Sequence, residues 1–156
     1  MSDRPASKPV AAGGVLAVIL AAVAFIAPWE GLETVPYRDL VGKLTWCYGE
    51  TRGVPKESYT EAECAAMLAT GVGQFYDGLT KCIHKSLTQG QAVALTSWAY
   101  NVGISAACNS TLVRQLNAGE PPEVWCRQLL RWDFAGGERE RGLTNRRQAE
   151  YRECVG

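Results

Sequence analysis

The chain reads as an α+β fold: a small β-rich lobe, a larger helical lobe with a cleft between them, and an apolar helix in front. Three observations predict it. Pro9 to Trp29 carries no charged side chain, residues 33 to 49 alternate β-branched and aromatic residues with Pro36, Gly42 and Gly49, and helix-capping signals recur from Thr60 onward. With 156 residues the chain is sized for one domain, and about 125 remain to bury a core once the apolar start is set aside. We divide it into an N-terminal segment, 1–28, and a globular unit, 29–156.

The run from residue 10 to 28, VAAGGVLAVILAAVAFIAP, holds seven alanines and two glycines among nine larger apolar residues. At about 1.5 Å per residue such a helix only just crosses the roughly 30 Å hydrocarbon layer. Arg4 and Lys8 precede it with only Asp3 opposing, so the start stays in the cytoplasm and everything after Trp29 is sent outward. A cleavable signal peptide competes, because Ala22-Val23-Ala24 fits the small-x-small cleavage pattern. The apolar span exceeds the usual signal core of about 7 to 15 residues, which favours an uncleaved anchor. A buried core helix is the third reading.

After the segment, 33–49 (ETVPYRDLVGKLTWCYG) predicts short strands and turns. Thr60 with Glu63 and Thr88 with Gln91 have capping-box spacing, predicting helices near 61–70 and 89–101. Asn109 or Ser110 caps a short helix through Leu116, ended by Gly119. Pro121-Pro122 starts another, carrying Trp125, Leu129, Leu130 and Trp132. Gly136-Gly137 breaks it, and 144–153 forms the last helix. Trp46, Trp98, Trp125 and Trp132 are core candidates, with stacking on a sugar ring as the alternative.

Sixteen basic and sixteen acidic residues cancel, so no net field favours nucleic acid as a partner. Seven arginines (Arg127, Arg131, Arg139, Arg141, Arg146, Arg147, Arg152) crowd the last thirty residues. Mixed there with Glu138, Glu140, Glu150 and Glu153, they read as a solvated helical face, a contact with an anionic polymer being the other reading. Cys47, Cys64, Cys82, Cys108, Cys126 and Cys154 form an even set behind an export-like segment, which points to disulfides. No CxxC occurs and His84 is the sole histidine, so a zinc site is not expected, and His84 reads as a surface residue. Six cysteines allow fifteen connectivities. Pairing neighbours along the chain, Cys47 with Cys64, Cys82 with Cys108 and Cys126 with Cys154, is the expectation taken here.

Glycoside hydrolysis needs one carboxyl that stays protonated to donate to the leaving oxygen and another that stays ionised to act on water or on the sugar. Glu30, beside Trp29 and just after the apolar run, has a setting that disfavours charge and suits a proton donor. Asp39, among Tyr37, Arg38 and Gly42, lies in a more polar turn. Thr45 adds a hydroxyl able to orient a water by accepting and donating hydrogen bonds. Taken alone, this three-residue spacing is weak, and surface and turn residues would explain it equally well.

The segment WEGLETVPYRDLVGKLTWCYGET, Trp29 to Thr51, resembles the active-site region of phage-type lysozymes, glycoside hydrolase family 24. YTEAECAAML (59–68), WAYNVGISAACNSTLVRQLNAGE (98–120) and RWDFAGG...RGLTNRRQAEYREC (131–154) are similar to that family too, in the right order. The resemblance implies a lysozyme-like fold with Glu30 as general acid and Asp39 and Thr45 activating the water, and it implies inversion at the anomeric carbon. Asn101 and Gly103 match the start of the family's helical-lobe cleft motif, and Thr144, Asn145 and Arg146 its C-terminal one. These imply sugar contacts and the electrostatic setting of Glu30, with packing as the alternative. Glu50 departs from the histidine many relatives carry, which bears on ion pairing in that turn.

The N-terminal segment also resembles the signal-anchor-release elements of some phage endolysins, which are exported without cleavage, held in the inner membrane and then released. Its alanines and glycines gain little from lipid and can pack closely against protein. After release, the segment is expected to become the apolar helix that positions Glu30. A cysteine in the anchor controls some such enzymes through disulfide exchange, but here none precedes Cys47. The whole implies a monomeric muramidase without metal or organic cofactor, acting on peptidoglycan glycan strands for host lysis by a phage or prophage. It would sit in the inner membrane facing the periplasm, then become soluble there. A tethered peptidoglycan-binding module without catalysis and a lytic transglycosylase are the rival readings.

Overall fold

The computed structural model describes residues 12–156, with side chains from residue 14. The start of the apolar run at Val10 and the flanking Arg4 and Lys8 lie outside the described residues. Among the described residues, no helix is long and apolar enough to cross a membrane.

Helix α1, Ala12–Glu30, is followed by the hairpin β1 (Glu33–Arg38) and β2 (Leu44–Cys47), then α2 (Glu61–Cys82), α3 (Gln89–Val102), α4 (Ile104–Cys108), α5 (Thr111–Asn117) and α6 (Pro122–Trp125). A 3-10 stretch, Cys126–Arg131, leads to a second hairpin, β3 (Phe134–Ala135) and β4 (Glu138–Arg139), and to α7, Arg141–Val155. The fold is thus mixed and mostly helical, with two separate two-stranded antiparallel sheets among the described residues. In the first, Tyr37 pairs with Thr45 and Arg38 with Leu44, with an irregularity between Glu33 and Tyr37.

Both expected capping boxes form: Thr60 accepts from the Glu63 amide and Thr88 from the Gln91 amide, and each partner side chain reaches back. Helix α3 lies at the centre. Residues 91 to 99 are buried all round it, because α1, α2, α4 and α7 pack on its sides. Val18, Ala22 and Ile26, spaced one turn apart on α1, are fully buried in that core, while Leu16 (65 % exposed) and Leu20 (58 %) face outward. The three disulfides are Cys47–Cys64, Cys82–Cys108 and Cys126–Cys154, the neighbour pairing expected.

Several elements differ from expectation. Helix α2 runs on to Cys82 instead of ending near residue 70. Gly71, Gly73 and Gly78 do not break it, and Gly78 is a site of close approach. A Cβ at Gly78 would meet Ile104 Cγ1 at 2.7 Å. The helix expected after Pro121 is only four residues of α-helix before it tightens into the 3-10 stretch. Gly136 and Gly137, expected as a plain break, turn the second hairpin, and Glu140 starts α7 earlier than residue 144 by accepting from the Gly142 and Leu143 amides. The arginine-rich end is not wholly a solvated face: Arg146, Arg147 and Glu150 are buried.

Candidate active site

Glu30 is the last residue of α1, so the packing of Val18, Ala22 and Ile26 fixes where its carboxyl group stands. It opens into a cavity of about 420 Å³ lined by Tyr48, Gly49, Glu50, Tyr100 and Asn101 among others. An added Cβ at Gly49 would stand 3.6 Å from Glu30 Oε2, so the absence of a side chain there keeps that oxygen accessible. The surroundings are less apolar than Trp29 and the preceding run suggest. Arg146 Nη1 donates to Glu30 Oε1 at 2.7 Å, and Trp29 itself is partly exposed.

Arg146 is held from behind. Its Nη2 donates to the Ser97 carbonyl (3.1 Å) and hydroxyl (3.4 Å) on α3, and its Nε lies 4.0 Å from Glu150 Oε2. Arg147 donates to Asn101 Oδ1 (3.0 Å), the Trp132 carbonyl (3.5 Å) and Glu150 Oε2 (3.1 Å). Burial pushes the Glu150 carboxyl up to about 7, against the pull of Arg147, of Arg146 and of hydrogen bonds from Ser97 and Arg147. Burial likewise lowers Arg147, partly countered by Glu150. On the cavity wall, burial raises the Tyr100 hydroxyl, helped by the charges of Glu30 and Glu50.

Glu50, the departure from the family pattern, makes its own ion pair with Arg52. Burial raises its carboxyl, but hydrogen bonds from the Arg52 side chain and the Arg52 and Thr51 amides outweigh that and leave it below the ordinary carboxylate value. The turn that holds Gly49 is therefore braced by a carboxylate and an arginine.

Asp39 and Thr45 stand on the first hairpin and are not among the residues lining the Glu30 cavity. They are joined to each other through Lys43. Asp39 Oδ1 accepts from the Val41 (3.0 Å) and Lys43 (2.8 Å) amides, and the Lys43 carbonyl accepts from the Asp39 amide and the Thr45 hydroxyl. Asp39 Oδ2 makes no hydrogen bond among the described residues, whereas Thr45 is buried with its one O–H proton directed at Lys43. In this arrangement the Thr45 hydroxyl keeps only its lone pairs for a further partner, as an acceptor. Cys47, with φ +54°, ends the strand and is tied by its disulfide to α2.

The other expected contacts divide. Asn101 lines the Glu30 cavity and Arg146 touches Glu30, while Gly103 (φ +95°) ends α3 in a conformation that favours glycine. Thr144 donates to Asp133 Oδ2 at 2.8 Å, a packing contact, and Asn145 is exposed on the second turn of α7. Arg147, Glu150 and Ser97 escaped sequence reasoning. A signal was present: if Cys154 faces the core, Glu150, Arg147 and Leu143 share its helical face at spacings of four, seven and eleven. His84 is exposed, and its amide donates to Asn117 Oδ1.

A hairpin lobe, a helical lobe and a carboxyl group opening into the cavity between them define a lysozyme-type glycoside hydrolase. The phage lysozyme family model matches residues 27–150, and the chain belongs to that family. A SAR-endolysin of Bacteriophage PS119 is 37 % identical over 148 residues, covering 92 % of this chain and 88 % of that protein. The muramidase domain of SpmX from Asticaccaulis excentricus superposes with a TM-score of 0.79 at 25 % identity, over 87 % of this chain and 95 % of that one. The active form of P1 phage endolysin Lyz superposes at 0.76 (22 % identity, 96 % of each chain). Its secreted inactive form superposes at only 0.57 (19 % identity, 86 % and 93 %), so the elements here are arranged more as in the active form.

Proposed function

We propose that this lysozyme hydrolyses the β-1,4 bond between N-acetylmuramic acid and N-acetylglucosamine in peptidoglycan, with Glu30 as general acid and Asp39 and Thr45 managing the water. One observation carries the reading: a carboxyl group at the end of a packed helix, open to the cavity through Oε2 while an arginine holds Oε1. Glu30 gives its proton to the glycosidic oxygen as that bond breaks. Asp39 takes a proton from the water through Oδ2, its other oxygen being held by two amides, and Thr45 orients the same water as an acceptor. The water's oxygen bonds to the anomeric carbon from the opposite face, which inverts the configuration. Asn101 lines the cleft and Arg146 holds Glu30, and Gly103, Thr144 and Asn145 are the remaining candidate sugar contacts.

Glu30→Gln tests the assignment. Clearing of purified cell walls falls by about 100-fold or more while the circular dichroism spectrum is unchanged. A variant that clears walls at the parental rate ends the reading. Released muropeptides carry reducing ends if water is the acceptor, and anhydro sugars would favour a transglycosylase instead.

The reading extends to export. The relative's designation as a SAR-endolysin and the apolar character of both faces of α1 support a segment 1–28 that serves first as a bilayer anchor and then as α1, in front of a catalytic unit 29–156. In this reading the enzyme is held at the inner membrane facing the periplasm and is then released there as a monomer. N-terminal sequencing of the soluble form checks this. An intact start supports release, and a start at Phe25 would mean cleavage.

A further inference from the structure

Two neighbouring guanidinium groups inside a protein repel each other and lose their hydration, so they persist only where buried anions face them. Arg146 and Arg147 are 4 % and 0 % exposed, and Glu150, one turn further along α7, is 0 % exposed. Glu150 serves both: Arg147 reaches it through Nε and through Nη2 (3.1 Å), and Arg146 through Nε (4.0 Å). The other side of Arg146 meets Glu30 at 2.7 Å. With Glu150 ionised, four charges alternate in a row from the core to the cleft: Arg147, Glu150, Arg146, Glu30. Facing this row are the Ser97 hydroxyl, Tyr100 and Asn101 from α3, and Asp133, which carries its own partner Arg139 at 3.4 Å.

We propose that Glu150 is a positioning residue for the acid: by taking the charge of Arg147 and one edge of Arg146, it presents Arg146 to Glu30 as a single, shared cation. The inference rests on Glu30 being the proton donor. With Glu150 neutral or removed, the row has two cations and one anion, and both cations act to hold the Glu30 carboxylate ionised. A carboxylate held that way donates no proton. With Arg147 removed instead, Glu150 has only Arg146 to bind and draws it away from Glu30. The two perturbations therefore push the acid in opposite directions, although both break the same buried ion pair.

The test compares Glu150→Gln and Arg147→Met with the parent and with Glu30→Gln, measuring kcat and KM on soluble peptidoglycan fragments across the pH range. Glu150→Gln moves the alkaline limb of the kcat/KM profile down by about one pH unit and lowers kcat near neutrality by about tenfold, with KM within about twofold. Arg147→Met moves the same limb up. Thermal unfolding identifies which variants are folded, and if Glu150→Gln does not fold, the sign of the Arg147→Met shift decides alone. Loss of packing would lower activity in both without opposite shifts, so an unmoved limb, or one moved the same way in both, overturns the proposal. A fully active Glu30→Gln overturns it differently, by removing the acid that Glu150 would serve.

Discussion

Replacing Ile26 with alanine separates the packing of α1 from the chemistry at its end. Ile26 is fully buried, one helical turn before Glu30, in a row with Val18 and Ala22. A buried isoleucine cut to alanine loses its transfer free energy and leaves a cavity, about 2–5 kcal/mol in close-packed cores. Fully burying Val18 and Ile26 contributes about 1.5–3 kcal/mol each, so the lost share is a large part of what docks α1. Urea unfolding shows a loss of about 3 kcal/mol, and because Glu30 rides on the loosened turn, kcat falls by about tenfold with KM little changed. Ile26→Val, smaller by one methylene, costs about 0.5–1.5 kcal/mol and keeps its activity. An Ile26→Ala protein as stable as the parent, or one less stable yet fully active per folded molecule, refutes the claim that α1 packing sets the position of the acid.

Two further outcomes follow from buried groups. The Glu150 carboxyl, raised by burial from 4.5 to about 7, binds its proton more tightly folded than unfolded, so stability falls as pH rises from about 4.5 through 7, by about 3 kcal/mol. Denaturation midpoints across that window read the slope, and Glu150→Gln flattens it. Gly78→Ala puts a Cβ 2.7 Å from Ile104 Cγ1. The clash costs about 1–3 kcal/mol against a helix-propensity gain of just under about 1, so the variant melts lower, and trimming Ile104 to alanine in the same chain recovers part of the loss.

Where a single local rule decides a feature, the residues announced it. Thr60 and Thr88 mark their helix starts because a capping box needs only four consecutive residues, and the 33–49 pattern marks its hairpin because turn residues and β-branched residues alternate there. Features that depend on distant partners were not announced. Gly78 looks like a helix breaker until Ile104 lies against it. Arg147 and Glu150 look like surface charges until α3 and the 3-10 stretch enclose them. At the site, Glu30 stood out through its place after the apolar run, but its cation partner is 116 residues away in sequence. Thr45 stood out as a hydroxyl, whereas the direction of its proton depends on the Lys43 carbonyl in the folded hairpin.

The three disulfides give the cleft a dependence on oxidation that belongs to its walls and not to its chemistry. Cys47–Cys64 fastens the first hairpin to α2, Cys82–Cys108 fastens the far end of α2 to α4, and Cys126–Cys154 fastens the last turn of α7, the helix that brings Arg146 to Glu30. Cytosolic thiols keep such bonds open, so a chain newly made there lacks every one of these fastenings. On the proposed route of export, assembly of the cleft is timed by the compartment the chain has reached, so synthesis and wall cleavage are separated by an electron balance as well as by a membrane.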